Sequence, residues 1–394
     1  MNRLFRVTTV LLAVIVLTAA CVAVPPAAPQ PGDALSQMSV ILTAFGDKDA
    51  TYGETQPFLK ALTDRIDRTP DSAYCAGLYE GKLSGQPVVV ATTGTGSDNS
   101  GPCMQEILQM YDRRIKEVIW SGIAGASPAV GGIVDVKTGK LKAKPEPVMI
   151  GDVCISPLAW SYDLHFASVA DWKAAVDKGD DPVSTAGWYP MKESSGKADV
   201  IGFENVQQAV IADKALADEL LAAARAVEWP ALDADTQRVV GRFFPVSAVR
   251  PVRVFDYTQC AEVASNTFFH GVVEDRLSRQ YLAELINASG YAADKRTEDD
   301  VVVFSAMEAV AWASIVQRWA AKTGVPIPLV IVRAASNYDH MPLDGDGQPR
   351  PGADGKPLTA MEDILHGFAD SGASFAAHTA ALPVLKMFEL RQRR

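Results

Sequence analysis

Short runs of apolar and β-branched residues alternate with segments whose apolar positions recur at helical spacing, and this alternation predicts an α/β layer architecture. Val40 to Thr43 reads as a first strand, ended by Ala44-Phe45-Gly46-Asp47. A helix follows, with Phe58, Leu59, Leu62 and Ile66 on one face. Val88 to Thr93 is a second buried strand, broken by Gly94-Thr95-Gly96, and a helix around Met104 to Arg113 comes next. Val118 to Trp120 is a third strand that runs into Ser121-Gly122-Ile123-Ala124-Gly125-Ala126.

The pattern then loosens. Residues 137–147 read as an inserted hairpin or loop, and residues 167–200, polar with Gly and Pro, as a surface excursion. A helix is predicted over Val206 to Val227, with strands at Val252 to Phe255 and Glu262 to Ser265. The last third reads as a helix at Ala306 to Ala321, a buried strand at Pro328 to Arg333 and mostly helix from Met361 to Leu390. Between these elements, residues 341–358 form a Gly-, Pro- and Asp-rich loop, a candidate lid after a strand end. Its Asp344-Gly345-Asp346-Gly347 lacks the closing Glu of a calcium loop and reads as a turn.

The amino terminus changes the picture of where the chain works. Arg3 and Arg6 precede an apolar stretch from Val7 to Ala20, too short to span a bilayer comfortably. Residues 1–21 read as a signal peptide, 22–37 as a Pro/Ala-rich tether, and 38–394 as one domain carrying the insertions above. The protein is expected to be exported and periplasmic, and Cys21 is a candidate lipid-attachment site, its only expected link to a membrane. A net charge of −10 without any Lys/Arg run argues against a nucleic-acid surface. Four further cysteines, Cys75, Cys103, Cys154 and Cys260, fit disulfides in an exported chain; of the three pairings, Cys75–Cys103 with Cys154–Cys260 is preferred.

Three features coincide with predicted strand ends, where open α/β sheets build their sites. Gly94 and Gly96 let backbone N–H groups approach an anion or sugar, although a tight turn needs the same glycines. Ala124 and Gly125 permit a flat ring to lie against the backbone, and close packing of helix on strand asks for the same small residues. The third is a pair. Met307-Glu308-Ala309 opens a helix and Arg333-Ala334-Ala335-Ser336-Asn337 closes the next strand, so Glu308 and Arg333 can reach one place. A carboxylate there accepts two sugar hydroxyls while a guanidinium orders a water or an anion.

In this order these segments resemble the nucleoside phosphorylase superfamily, especially methylthioadenosine/S-adenosylhomocysteine nucleosidase. The matching stretches are Asp47, Gly94-Thr95-Gly96, Ser121 to Gly125, Gly151-Asp152-Val153, Met307-Glu308-Ala309 and Arg333 to Asn337, with Ser265-Asn266-Thr267-Phe268-Phe269 resembling a base-stacking segment. The resemblance implies a three-layer α/β/α sandwich around a central mixed sheet of the nucleoside phosphorylase/hydrolase type. It implies a purine nucleoside as ligand, no cofactor, phosphate as the one candidate co-substrate, and a homo-oligomer. It assigns the ribose hydroxyls to Glu308, the underside of the sugar to Met307, base stacking to Phe268 or Phe269, and further substrate contact to Ser336. Arg333 and Asp47 would hold the attacking water or phosphate, with Glu54 the alternative to Asp47.

Two departures matter. Asn337 stands where nucleosidases carry the Asp that protonates the purine, and an amide donates a hydrogen bond but no proton. Asp339 and His340 are the alternative acids, each also readable as a polar loop residue. Ile123 stands where the family places a Ser or Thr that contacts phosphate, which ranks hydrolysis above phosphorolysis. The two functions that follow are cleavage of an N-glycosidic bond, by an N-ribosyl hydrolase or a phosphorylase-like glycosyltransferase, and non-catalytic periplasmic nucleoside binding of the permease-like kind.

Overall fold

In this computed structural model the described residues are 37–46, 53–135, 140–142, 145–163, 165–167, 188–190, 209–232, 234–241, 250–266, 271–339, 355 and 372–394. Residues 1–36, which hold the expected signal peptide and nearly all of the expected tether, lie outside them, as do most of residues 167–200 and all of 341–358 apart from Gly355.

Strands β1 (Met38–Thr43), β4 (Gln86–Thr92), β5 (Ile115–Ala126) and β12 (Leu329–Tyr338) form the parallel heart of a 12-stranded sheet. β2 (Thr63–Asp67) and β3 (Gly77–Leu83) extend one side as antiparallel edge strands. At β5 the sheet branches. β5 pairs with β12 from Val118 to Ala126 and with β1 over its first part, while its last residues, Gly125 and Ala126, also pair antiparallel with β11 (Val302–Ala306). β10 (Cys260–Ala264), β7 (Leu158–Ser161) and β8 (Ala209–Ile211) continue outward from β11. β6 (Val153–Ser156) pairs with β12 and with β9 (Val254–Phe255). The sheet is mixed, as expected.

Alternation along the strands sorts the core into two layers. Ile41, Val88, Val90, Ile119, Val330 and Val332 pack under α1 (Gln56–Ala61), α3 (Lys214–Arg225) and α7 (Gly372–Gln392). Val40, Leu42, Val89, Val118, Trp120 and Ile331 pack under α2 (Ser97–Tyr111) and α6 (Ala309–Thr323) on the other face. Helices on both faces make the α/β/α sandwich. The expected hairpin near 137–147 consists of two short ladders, Val134–Asp135 with Lys140–Leu141 and Ala129–Val130 with Glu146–Pro147.

Three predicted helices are corrected. The first ends at Ala61, because Leu62 is extended and Thr63–Asp67 joins the sheet edge, leaving Ile66 48% exposed. The segment from Val206 contains strand β8 before α3, which begins where the Asp213 carboxylate accepts from the Leu216 N–H at 2.9 Å. The helix expected from Ala306 starts three residues later, because Val302–Ala306 is strand β11. Both preferred disulfides are present, Cys75–Cys103 tying β3's approach to α2 and Cys154–Cys260 tying β6 to β10.

Candidate functional site

The site grows from a buried guanidinium. Arg333 lies on β12 with none of its surface exposed. A cation in that setting must be paired. Its Nε and Nη2 donate to the two carboxylate oxygens of Glu262 at 2.7 and 3.0 Å, Nη2 also donates to Glu308 at 3.0 Å, and Nη1 donates to the Ile123 carbonyl at 3.2 Å. The guanidinium carbon sits 5.1 Å from the centre of the Trp120 ring. Burial works against its charge, and Glu262 with Glu308 more than offset that, so Arg333 stays protonated.

Glu308 precedes α6 at its amino end. It accepts from the Gly96 N–H at 3.1 Å and from the Met307 N–H at 3.2 Å, and its own carbonyl accepts from Ser100 Oγ. The Gly94-Thr95-Gly96 turn, with φ of +92° and +88° at its glycines, therefore spends the Gly96 amide on a carboxylate. Met307 is half-buried beside it.

A third carboxylate completes the group. Glu54 is 2% exposed and accepts from the backbone N–H groups of Ala44 and Ile123, each at 2.6 Å. Its Oε1 and Arg333 Nη1 lie 2.6 and 2.8 Å from the point a Cβ on Gly122 would occupy, so both stand over one bare glycine. Burial pushes the Glu54 carboxyl up to about 7, against the pull of Arg333 and with a further push from Glu308. Glu262 is also raised, by burial, with Arg333 opposing. Three carboxylates around one guanidinium cannot all be charged cheaply in such a dry place.

A second cluster sits three residues along β5. Over Gly125 stand Asp339, Ser305 and Asn337, whose nearest atoms lie 2.3, 2.7 and 3.2 Å from the position of an absent Cβ. Ser305 Oγ donates to Asp339 at 2.5 Å. Ser336 commits its hydroxyl to the Ala124 carbonyl at 3.1 Å and the Asn337 amide oxygen at 2.8 Å, while the Asn337 NH₂ makes one long bond, to the Tyr338 carbonyl at 3.5 Å, and keeps a second N–H to offer. Ala124 is buried, and its carbonyl is the one Ser336 uses.

The structure thus brings Glu308 and Arg333 into contact and places Gly96 beside Glu308, while Gly94 shapes the turn. Asn337 stands over Gly125, next to Ala124. Asp47, Phe268, Phe269 and His340 lie outside the described residues. Asp152 serves the fold: it accepts from Met149 N–H, Arg253 N–H and the Arg250 guanidinium, which fastens the start of β6. Glu262 went unmarked in the sequence reading, although a charged residue inside Cys-Ala-Glu-Val-Ala asks for a buried cation.

Fold and site together define an α/β protein with a buried carboxylate–guanidinium centre at the carboxyl ends of its parallel strands. No family model and no curated protein matches the sequence. Among solved structures the chain is similar to 5′-methylthioadenosine/S-adenosylhomocysteine nucleosidase from Neisseria meningitidis in complex with methylthio-immucillin-A. There the identity is 16% over 89% of this chain and 98% of that one, with a TM-score of 0.47. It is also similar to the corresponding nucleosidase from Colwellia psychrerythraea in complex with adenine, at 15% identity over 90% and 95% of the two chains and a TM-score of 0.45. A futalosine hydrolase mutant of Helicobacter pylori gives 13% identity, 90% and 99% coverage and a TM-score of 0.47.

Proposed function

We propose that this protein binds a purine nucleoside and hydrolyses its N-glycosidic bond. The observation that carries the reading is the group formed by Glu54, Arg333 and Glu308. A carboxyl raised to about 7 stands with a guanidinium over one bare glycine, and the guanidinium is bonded to a second carboxylate. In this reading Glu54 takes the proton of an attacking water, Arg333 orients that water, and Glu308 accepts hydrogen bonds from the ribose hydroxyls. A base whose pKa lies near the working pH is the efficient one. The ordered motifs from Gly94 to Asn337 supply the substrate class, and the Asn337 NH₂ offers the base a hydrogen bond.

Hydrolysis is favoured over phosphorolysis on electrostatic grounds. Arg333 is already bidentate with Glu262, and an incoming phosphate would meet three carboxylates and the aliphatic side chain of Ile123. Non-catalytic binding is the second reading, and the amide at 337 supports it.

The test incubates the mature protein with inosine, guanosine and methylthioadenosine, with and without phosphate. Free base and free ribose without phosphate, abolished by Glu308→Ala, are the expected result. Ribose 1-phosphate as product would overturn hydrolysis, and calorimetric binding without turnover would establish the second reading.

A further inference from the structure

Helix α2 begins without a cap of its own, because Gly96 precedes it and has no side chain to hold the first free amides. Two side chains from other elements take them. The Gly96 N–H goes to Glu308 Oε1 at 3.1 Å, and the Ser97 N–H goes to Asn266 Oδ1 at 3.0 Å. Asn266 lies just past the end of β10 and is exposed, yet it is held in place. Its own N–H donates to Asp163 Oδ2 at 2.9 Å. The neighbouring Ser265 donates through Oγ to Asp163 Oδ1 at 2.6 Å and through its N–H to the Ala306 carbonyl at 2.9 Å. The near end of the Gly94-Thr95-Gly96 turn is fastened to β1 by the Gly94 N–H on the Ala44 carbonyl at 2.9 Å. At its far end Asn99 bonds the Thr95 carbonyl at 2.6 Å, but Asn99 belongs to α2 and moves with it. Asn266, with Ser100 Oγ on the Glu308 carbonyl at 3.1 Å, ties that end to the rest of the molecule.

We propose that Asn266 is a positioning residue for the sugar: it fixes the turn whose Gly96 amide sets the Glu308 carboxylate for the ribose hydroxyls. The assignment rests on the nucleoside reading above. Glu308 is 4% exposed, and three donors orient its carboxylate. Arg333 Nη2 and the Met307 N–H reach Oε2, and the Gly96 N–H reaches Oε1. Arg333 is locked by Glu262 and the Ile123 carbonyl, and Met307 is the adjacent residue, so the amide on the glycine turn is the donor able to drift. With φ at +88°, Gly96 has no side chain to restrain it, and a Cβ there would meet Asn266 Oδ1 at 3.2 Å. The bare position and the close approach of Asn266 are two halves of one contact. When the turn drifts, Oε1 swings with it, and hydrogen bonds from a sugar diol lose distance and angle together. Asn266 acts only through Gly96 and Glu308.

The test compares inosine with 2′,3′-dideoxyinosine, which offers Glu308 no ribose hydroxyl at those carbons. Affinity is read as KM where the bond is cleaved and as a calorimetric Kd where it is not. Asn266→Ala should weaken inosine by about threefold to tenfold, the worth of one neutral hydrogen bond, and change the dideoxy ligand by less than about twofold. Asn266→Asp, which keeps an acceptor at a helix amino end, should bring inosine back to within about twofold of wild type. Asp163→Ala, which frees the Asn266 backbone, should act in the same direction, and the double variant should be no worse than Asn266→Ala alone. Equal weakening of both ligands would make Asn266 a structural cap, and unchanged inosine affinity in Asn266→Ala would remove it from the site; either overturns the proposal. Should Asn266→Ala fail to fold, Asp163→Ala with the same two ligands decides alone. Wild-type protein that neither binds nor cleaves inosine would instead sink the nucleoside reading, and the positioning role with it.

Discussion

At the scale of single residues the site is governed by one shortage, of positive charge. Glu54, Glu262 and Glu308 share Arg333 in a dry place, and burial holds Glu54 near 7 instead of 4.5. As a base Glu54 works only when deprotonated, so kcat should climb with pH through about 7. Glu54→Gln should cut kcat by roughly 10²–10⁴-fold and erase that limb, which a pH–rate profile reads directly. The same shift has a sign for stability. Between about 4.5 and 7 the folded protein keeps a proton that the unfolded chain has released, so this group lowers stability as pH rises across that window. Gly122→Ala probes the packing of the same pair, since its Cβ would come 2.6 Å from Glu54 Oε1. A displacement of order 1 Å costs about 100-fold, so turnover should fall by at least that much while circular dichroism stays unchanged. Glu308 and Arg333 were legible because their motifs sit at element boundaries. Glu262 was not, because which cation meets a mid-strand carboxylate is decided by the pairing of β10 with its neighbours.

Elements were legible where a strand holds a run of consecutive apolar residues that leads into small residues, as Val88–Ala91 in β4 and Val118–Trp120 in β5 do. They were misread where two elements abut without a break. Leu62 and Ile66 keep a helical interval from Phe58, yet Leu62 turns the chain into an exposed edge strand that local periodicity does not register. The segment before α3 failed for a similar reason, since Ala209–Ile211 is a strand only because Leu158–Trp160 lies beside it. Helix α6 and strand β5 are joined by Trp312 stacked on Trp120, with centroids 5.8 Å apart, and Trp120 in turn faces Arg333. Both indoles are fully buried. Trp312→Ala should therefore cost about 3–5 kcal/mol in urea unfolding. It should also weaken catalysis through the loosened Trp120, whereas Trp312→Phe should retain most of both.

For the whole molecule, the α/β/α layering followed from alternation of short apolar strands with amphipathic helices, but the branching of the sheet at β5 did not. A strand that exchanges β1 for an antiparallel partner, β11, while keeping β12 on its other side is a tertiary choice, made where Gly125 and Ser305 meet. The disulfides act at this larger scale, since they join elements that the sheet order alone leaves loosely connected. Cys154–Cys260 spans 106 residues and Cys75–Cys103 spans 28. Loop entropy predicts the larger contribution from the longer span, within roughly 2–5 kcal/mol for either. The longer crosslink also touches the site, because Cys154 pairs with Arg333 in the β6–β12 ladder and Cys260 lies two residues before Glu262. Cys154→Ser/Cys260→Ser should thus lower both the denaturation midpoint and kcat/KM. Cys75→Ser/Cys103→Ser should lower the midpoint by less and leave kcat/KM nearly unchanged. Unfolding curves of the two double variants, read beside their turnover, decide the matter: equal midpoints and equal activities would mean that neither loop length nor nearness to Arg333 governs what a crosslink does here.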